Sequence, residues 1–264
     1  MLAMALPACG AAPETPSATR AAPGTHSPGS RVPWRPAQGT LWQWQLSTPV
    51  DQSVDVPVYD IDMFDNSAAV VASLHAKGRR VICYIDAGGW EAYRPDTAAM
   101  PAAAIGKPVQ GFPQERWLDI RQLGVIEPLM IARLNQCQAK GFDAVEPDLQ
   151  DGYENDTGFP LTYADQITYD RWWAEQAHAR GLGVALKGDV DQAADLQPYF
   201  DFALDEQCFE YSECDALTPF ISAGKAVLEV EYNLDTSAFC SSARARRFSS
   251  MRKHVNLDAW RQAC

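Results

Sequence analysis

Gly141-Phe142-Asp143-Ala144-Val145-Glu146-Pro147-Asp148 is the stretch from which the rest of the chain is read. Upstream of it, Ile131, Leu134 and Cys137 recur at helical spacing from Pro128, and Gly141 supplies the left-handed residue that ends such a helix. The apolar run 144–146 follows almost at once and gives way to polar side chains. Helix, glycine, strand, polar end is the repeating order of a parallel sheet. The order recurs. Asn66 can cap a helix carrying Val70, Val71 and Leu74, which ends at Gly78 before a strand over 80–85. A third helix from about Asp165, through Ile167, Trp172, Trp173 and Ala177, ends at Gly181 before a strand over 183–187. Further strands are predicted at 41–46, 57–61, 117–120, 202–204 and 226–232, which makes eight with 144–146. Eight strands favour a closed (β/α)8 barrel, with a doubly wound sheet as the alternative. No glycine-rich phosphate loop follows the first strand; Gly181-Leu182-Gly183 precedes a strand, the wrong context. Polar residues gather where many different strands end, as a barrel active site requires.

Bulk composition narrows the function. The 264 residues carry 34 acidic and 22 basic side chains, a net charge of −12, which argues against a nucleic-acid partner and suits a neutral or cationic ligand. Residues 1–9 are short and apolar and end in Leu6-Pro7-Ala8-Cys9, similar to a lipoprotein signal in which Cys9 is acylated. Residues 10–37 are rich in Ala, Pro, Ser, Thr and Gly without hydrophobic period and read as a disordered tether. The domain is expected over 38–264, outside the cell or in the cell envelope, as a monomer touching membrane only through that lipid. The six cysteines besides Cys9 permit three disulfides in an exported chain, with fifteen connectivities. Cys208 with Cys214 is the easiest local pair; Cys240 with Cys264 would staple the tail, and Cys83 with Cys137 would tie a strand to a helix.

The strand ends carry the chemistry. In order they give Asp62, then Tyr84, Asp86, Trp90 and Glu91, then Asp119, then Glu146, Asp148, Asp151 and Tyr153. Lys187, then Asp205 and Glu206, then Glu231 and Tyr232 complete the set. Four histidines stand in the tether, in predicted helices or near the tail, and no Gly-x-Ser-x-Gly elbow occurs, so a Ser-His-Asp hydrolase or a histidine-rich metal site is not indicated. Carboxylates among aromatics are what glycoside hydrolysis needs: one carboxyl protonates the leaving oxygen and another attacks or stabilises the oxocarbenium-like centre. Strand alternation puts Glu146 and Asp148 on one face, with Asp148 nearer the mouth and Glu146 deeper. The basic run Arg244, Arg246, Arg247, Arg252 and Lys253 reads as a solvated helix face.

Four motifs in order resemble the endo-α-1,4-polygalactosaminidase family: Trp42-Gln43-Trp44-Gln45-Leu46, Tyr84-Ile85-Asp86-Ala87-Gly88, the 141–148 stretch with Asp151-Gly152-Tyr153, and Asp205-Glu206-Gln207-Cys208. The resemblance spans about residues 40–235. It implies an endo-acting hydrolase of α-1,4-linked galactosamine polymers on a (β/α)8 barrel, with two acidic residues that match Asp148 and Glu206. Either could be nucleophile or base, the other the general acid. The family pattern leads one to expect Asn at positions 149, 188 and 205, where Leu149, Gly188 and Asp205 stand. Asp62, Asp86 and Glu231 are candidates to bind amino groups of a cationic glycan. Lys187 could donate to a sugar hydroxyl or hold a carboxylate ionised. Tyr84, Trp90, Tyr153 and Tyr232 are candidates to stack on sugar rings, and Glu146 and Asp151 to support the site. No metal or organic cofactor is implied. The alternatives are a non-catalytic carbohydrate-binding lipoprotein on the same barrel and a glycosidase for another amino-sugar polymer.

Overall fold

A computed structural model describes residues 33–264. Eight parallel strands curl into a barrel: β1 (Trp42–Gln45), β2 (Val58–Asp62), β3 (Arg80–Asp86), β4 (Ala144–Asp148), β5 (Gly183–Lys187), β6 (Phe202–Glu206), β7 (Val227–Glu231) and β8 (Ser249–Arg252). The helices between them are α1 (Ala68–Ala76), α2 (Leu123–Lys140), α3 (Tyr163–Ala179), α4 (Ala193–Leu196), α5 (Cys208–Tyr211), α6 (Thr218–Ser222) and α7 (Thr236–Arg246). β1 and β2 are joined by a loop. Across the seam between β8 and β1, Trp42 Nε1 donates to the Ser249 carbonyl at 2.6 Å and Lys253 Nζ to Gln43 Oε1 at 3.3 Å. Cys9 and residues 1–32 lie outside the described residues. The packed chain reaches back at least to Trp34, whose carbonyl would stand 2.1 Å from any Cβ at Gly183. Among the described residues no helix is long and apolar enough to cross a membrane.

Period-two alternation builds two cores from one ring of strands. Trp42, Trp44, Val58, Ile82, Ala144, Ala185, Phe202, Leu204, Leu228, Val230 and Met251 pack inside the barrel. Their neighbours Tyr59, Ile61, Val81, Cys83, Ile85, Val145, Val184, Leu186 and Val227 point outward and pack with residues of the helices. Each such aliphatic or aromatic side chain contributes ~1.5–3 kcal/mol over leaving it in water.

Two strand assignments change. Residues 117–120 do not supply a barrel strand: Phe112–Leu118 is the middle of a separate antiparallel sheet, between Gly89–Glu91 and Ile105–Val109, inserted after β3. The eighth barrel strand is Ser249–Arg252, and the basic run is therefore not one helix face. Arg244 and Arg246 close α7, whereas Lys253 is 1% exposed and donates to the Asp258 carbonyl at 2.6 Å. Two serines and an arginine in four residues mask the strand in the sequence. The helix starts shift as well. Ser67, not Asn66, stands at the N-cap of α1, because the Asn66 amide turns back to the Asp62 carbonyl. α2 starts at Leu123 and carries Pro128 inside it. α3 opens on a reciprocal Thr162–Asp165 capping box.

All three disulfides form as the spacing suggested: Cys83–Cys137, Cys208–Cys214 and Cys240–Cys264. The first ties β3 to α2 across a separation of 54 residues, and loop closure of that length restrains the unfolded chain by ~4 kcal/mol. The second closes the turn after β6, the third anchors the last residue to α7.

Candidate active site

The C-terminal ends of β3 to β7 converge on one lysine. Lys187 closes β5, is 6% exposed, and its Nζ lies 3.0 Å from Asp148 Oδ1 and 2.7 Å from Glu206 Oε2. Those two carboxylate oxygens are therefore within about 6 Å of each other. A tyrosine backs each acid. Tyr84 donates to Asp148 Oδ2 at 2.7 Å, and Tyr232, just past β7, donates to Glu206 Oε1. The Leu149 amide adds a bond to Asp148 Oδ1 at 2.9 Å. The Trp44 ring lies 5.5 Å below the ammonium. Burial alone would raise the Asp148 carboxyl, but Lys187, the Tyr84 hydroxyl and the Leu149 amide outweigh it and hold it below the usual carboxylate range. The converse holds for Lys187: burial opposes its charge, yet Asp148, Glu206 and Glu146 keep it protonated well above the usual lysine range.

The backbone turns sharply behind each of these three groups. Leu149, Gly188 and Gln207 have φ of 61°, 70° and 65°, all left-handed. Glycine takes this without cost; Leu149 and Gln207 carry about 1–2 kcal/mol each. Asn tolerates this region better than most residues, and two of the three positions where the family resemblance leads to Asn, 149 and 188, are these left-handed ones. The turn after Asp148 is also packed tightly. A Cβ at Gly88 would lie 1.9 Å from the Leu149 carbonyl oxygen, so only glycine lets the β3 end approach the β4 end.

Other predicted residues fall into two groups. Asp62, Tyr84, Asp148, Asp151, Lys187, Glu206 and Tyr232 line one cleft of about 760 Å³ at the barrel mouth. Asp62 is held there by Arg94, whose Nη1 lies 3.2 Å from Oδ1. Asp86, Trp90, Glu146, Tyr153 and Glu231 do not line it. Glu146 is fully buried beneath Asp148, beside Asp60; burial pushes Asp60 up to about 7 and Glu146 well above its ordinary value. Asp86 accepts the Gly89 amide at 2.6 Å and pins the turn after β3. Trp90 donates to the Thr97 carbonyl at 3.1 Å, and Tyr153 to Asp189 at 3.4 Å. Glu231 faces α5, where its Oε1 accepts the Phe209 amide at 2.8 Å.

Sequence reasoning reached Glu91 but passed over the rest of the insertion, which adds Tyr93, Arg94, Phe112 and Glu115 to the cleft. Val109-Gln110-Gly111-Phe112, with Gly111 at φ 85°, was its hairpin signal. Burial, then Glu91 and Asp148, push the Glu115 carboxyl up to about 7. Tyr93, Phe112 and Tyr211 stand at the rim, each more than half exposed. In all, nine carboxylates line the cleft against two cations, Lys187 and Arg94.

A (β/α)8 barrel with carboxylates at its carboxyl-terminal mouth belongs to a class in which glycoside hydrolases are prominent, and comparison with known proteins makes that class definite. A structure of Ega3 from Aspergillus fumigatus in complex with galactosamine superposes with a TM-score of 0.85 at 36% identity, covering 90% of this chain and all (100%) of that one. The glycoside hydrolase domain of PelA from Pseudomonas aeruginosa superposes with a TM-score of 0.65 at 12% identity over 86% of this chain and 98% of that one, a likeness of fold alone. No curated protein sequence matches. The protein is a glycoside hydrolase. The family model described as glycoside-hydrolase family GH114 matches residues 24–264, and the chain belongs to that family.

Proposed function

We propose that this hydrolase cuts α-1,4-linked galactosamine-containing polysaccharide within the chain, using Asp148 and Glu206. The observation that carries the reading is the pair of carboxylates bridged by Lys187 in a cleft lined by nine acids and two cations. Such a cleft favours a polymer bearing ammonium groups, and galactosamine is the sugar held by the similar Ega3 structure. Open flanks carrying Tyr93, Phe112 and Tyr211 suit a chain that continues past the site on both sides.

Asp148 is the nucleophile in this account. It is ionised, and Oδ2 accepts one hydrogen bond against two at Oδ1, which leaves Oδ2 the freer oxygen. Its attack on the anomeric carbon breaks the glycosidic bond while the carboxyl proton of Glu206 passes to the leaving oxygen. Water then attacks the glycosyl ester and gives its proton back to Glu206. The Lys187-bridged oxygens of the two acids are at most about 5.7 Å apart, close to the ~5–5.5 Å of double displacement and short of the ~6.5–9.5 Å that direct water attack requires, so the product keeps the α configuration. Three disulfides fit an extracellular or cell-envelope location, with Cys9 as the proposed lipid anchor.

The test is reducing-end release from deacetylated and N-acetylated α-1,4-galactosamine polymers, with proton NMR of the first-formed product. Release with an α-anomeric product supports the reading. A wild type inert on both polymers refutes it, and a β product refutes double displacement.

A further inference from the structure

A groove of about 500 Å³ opens at the opposite end of the barrel from the cleft. It lies where β1 and β8 begin, at Trp42 and Ser249, and where α7 stops. Arg244, Arg247 and Arg261 line it, and among the described residues no Asp or Glu does. Arg244 is engaged in part, since its Nη1 donates to the Cys264 main-chain oxygen at 2.6 Å. The side chains of Arg247 and Arg261 have no hydrogen bond or ion pair among the described residues, and Arg261 Nε is shut off from solvent without a partner. A guanidinium packed in this way is costly until an anion completes it. The other two arginines of the same basic run turn away from the groove and are matched, Arg246 by Asp215 at 2.6 Å and Arg252 by Asp235. The groove is thus positive on a chain of net charge −12 whose other end holds nine acids against two cations. Charge is segregated along the barrel axis.

The chain enters the packed domain at this same end. Trp34 lies against Gly183, the first residue of β5, and Gln38 Nε2 donates to the Ile221 and Lys225 carbonyls at 2.7 and 3.1 Å. The residues that lead back to Cys9 therefore join the domain at the end that bears the groove. We propose that the groove binds the phosphate of an anionic phospholipid headgroup, so that the barrel stands on a membrane by this end with its cleft facing away. Guanidinium forks match phosphate oxygens in pairs. Leu41, in the groove wall and 50% exposed, offers an apolar side chain to the interface. An anionic surface attracts the arginine end and repels the acidic mouth, which fixes the orientation. The proposal needs neither the chemistry assigned to Asp148 and Glu206 nor acylation of Cys9.

The test is co-sedimentation of the full chain carrying Cys9→Ser, so that no acyl chain contributes, with phosphatidylcholine vesicles made with or without phosphatidylglycerol. At low salt the protein should bind the phosphatidylglycerol vesicles and not the others, against its own net charge, and should come off at high salt. Adding Arg247→Gln or Arg261→Gln should weaken binding about fivefold each, the effect of one cation near an anionic leaflet, and the two together about twenty-five-fold. Arg171→Gln, which removes an exposed cation from α3 on the flank, should leave binding unchanged. Melting temperature and polymer cleavage in solution should match wild type in every variant. Equal binding to both kinds of vesicle, or to neither, overturns the proposal, as does a loss in Arg171→Gln as large as in the groove variants. Inorganic phosphate that raises Tm in wild type but not in the groove variants, without vesicle binding, would mark a soluble-anion site and overturn the membrane assignment too.

Discussion

Replacing Lys187 with methionine removes the charge at nearly constant length. Asp148 and Glu206 then face each other without their shared cation. What the substitution removes is the attraction of the ammonium, which lies 3.0 Å from Asp148 Oδ1 and 2.7 Å from Glu206 Oε2, whereas any repulsion between the two acids is common to both proteins. Burial then acts on Asp148 without the cation that offsets it, so the acid limb of the kcat/KM profile should move to higher pH. Stability follows with a definite sign. In wild type the depressed Asp148 contributes stability that is present above its unfolded value near 3.8 and is lost as pH falls through its folded value. In Lys187→Met the same buried carboxyl has no cation and is raised. Its contribution is then present only at low pH and is lost as pH rises. The gap in Tm between the two proteins should therefore widen from pH 4 to pH 8. It should approach ~10 °C, as expected for breaking a buried pair worth ~3–5 kcal/mol in a chain of this size. Thermal unfolding across that range, with pH-rate profiles on galactosamine polymer, checks both effects. A Tm gap independent of pH, with an unmoved acid limb, would refute the coupling of the three groups.

Gly88→Ala should lower kcat/KM at least tenfold and destabilise by several kcal/mol, because its Cβ would press into the Leu149 carbonyl at 1.9 Å and displace the Asp148 turn; activity and urea unfolding report it. Asp189, pushed up to about 8 mainly by burial, contributes stability that is present below its unfolded value of 3.8 and lost as pH rises through 8. Asp189→Asn should accordingly raise Tm relative to wild type at pH 9 and lose that advantage at pH 4.

The barrel was legible because its strands alternate with helices that end in glycine: Gly78, Gly141 and Gly181 all take positive φ where the helix stops. β8 was not, since Ser249, Ser250 and Arg252 have no apolar period of their own. They are a strand because β7 templates them on one side and Trp42 reaches the Ser249 carbonyl on the other. At the site, parity along the strands correctly ranked Asp148 above Glu146. It could not tell which strand-end acids turn into the cleft. Asp86 and Glu231 turn to backbone amides instead, a choice made by local turns that have no sequence period. The insertion's contribution was hidden for a different reason. Its strand 112–118 reads as part of the main sheet until its antiparallel partners are known.

The pairing of Asp148 with Glu206 is tested most directly by reducing-end release from deacetylated α-1,4-galactosamine polymer by wild type, Asp148→Asn and Glu206→Gln, each shown to be folded by its melting transition. Wild type should cleave the polymer, and each variant should lose more than a hundredfold in kcat. A folded variant that keeps near wild-type turnover would contradict the pairing.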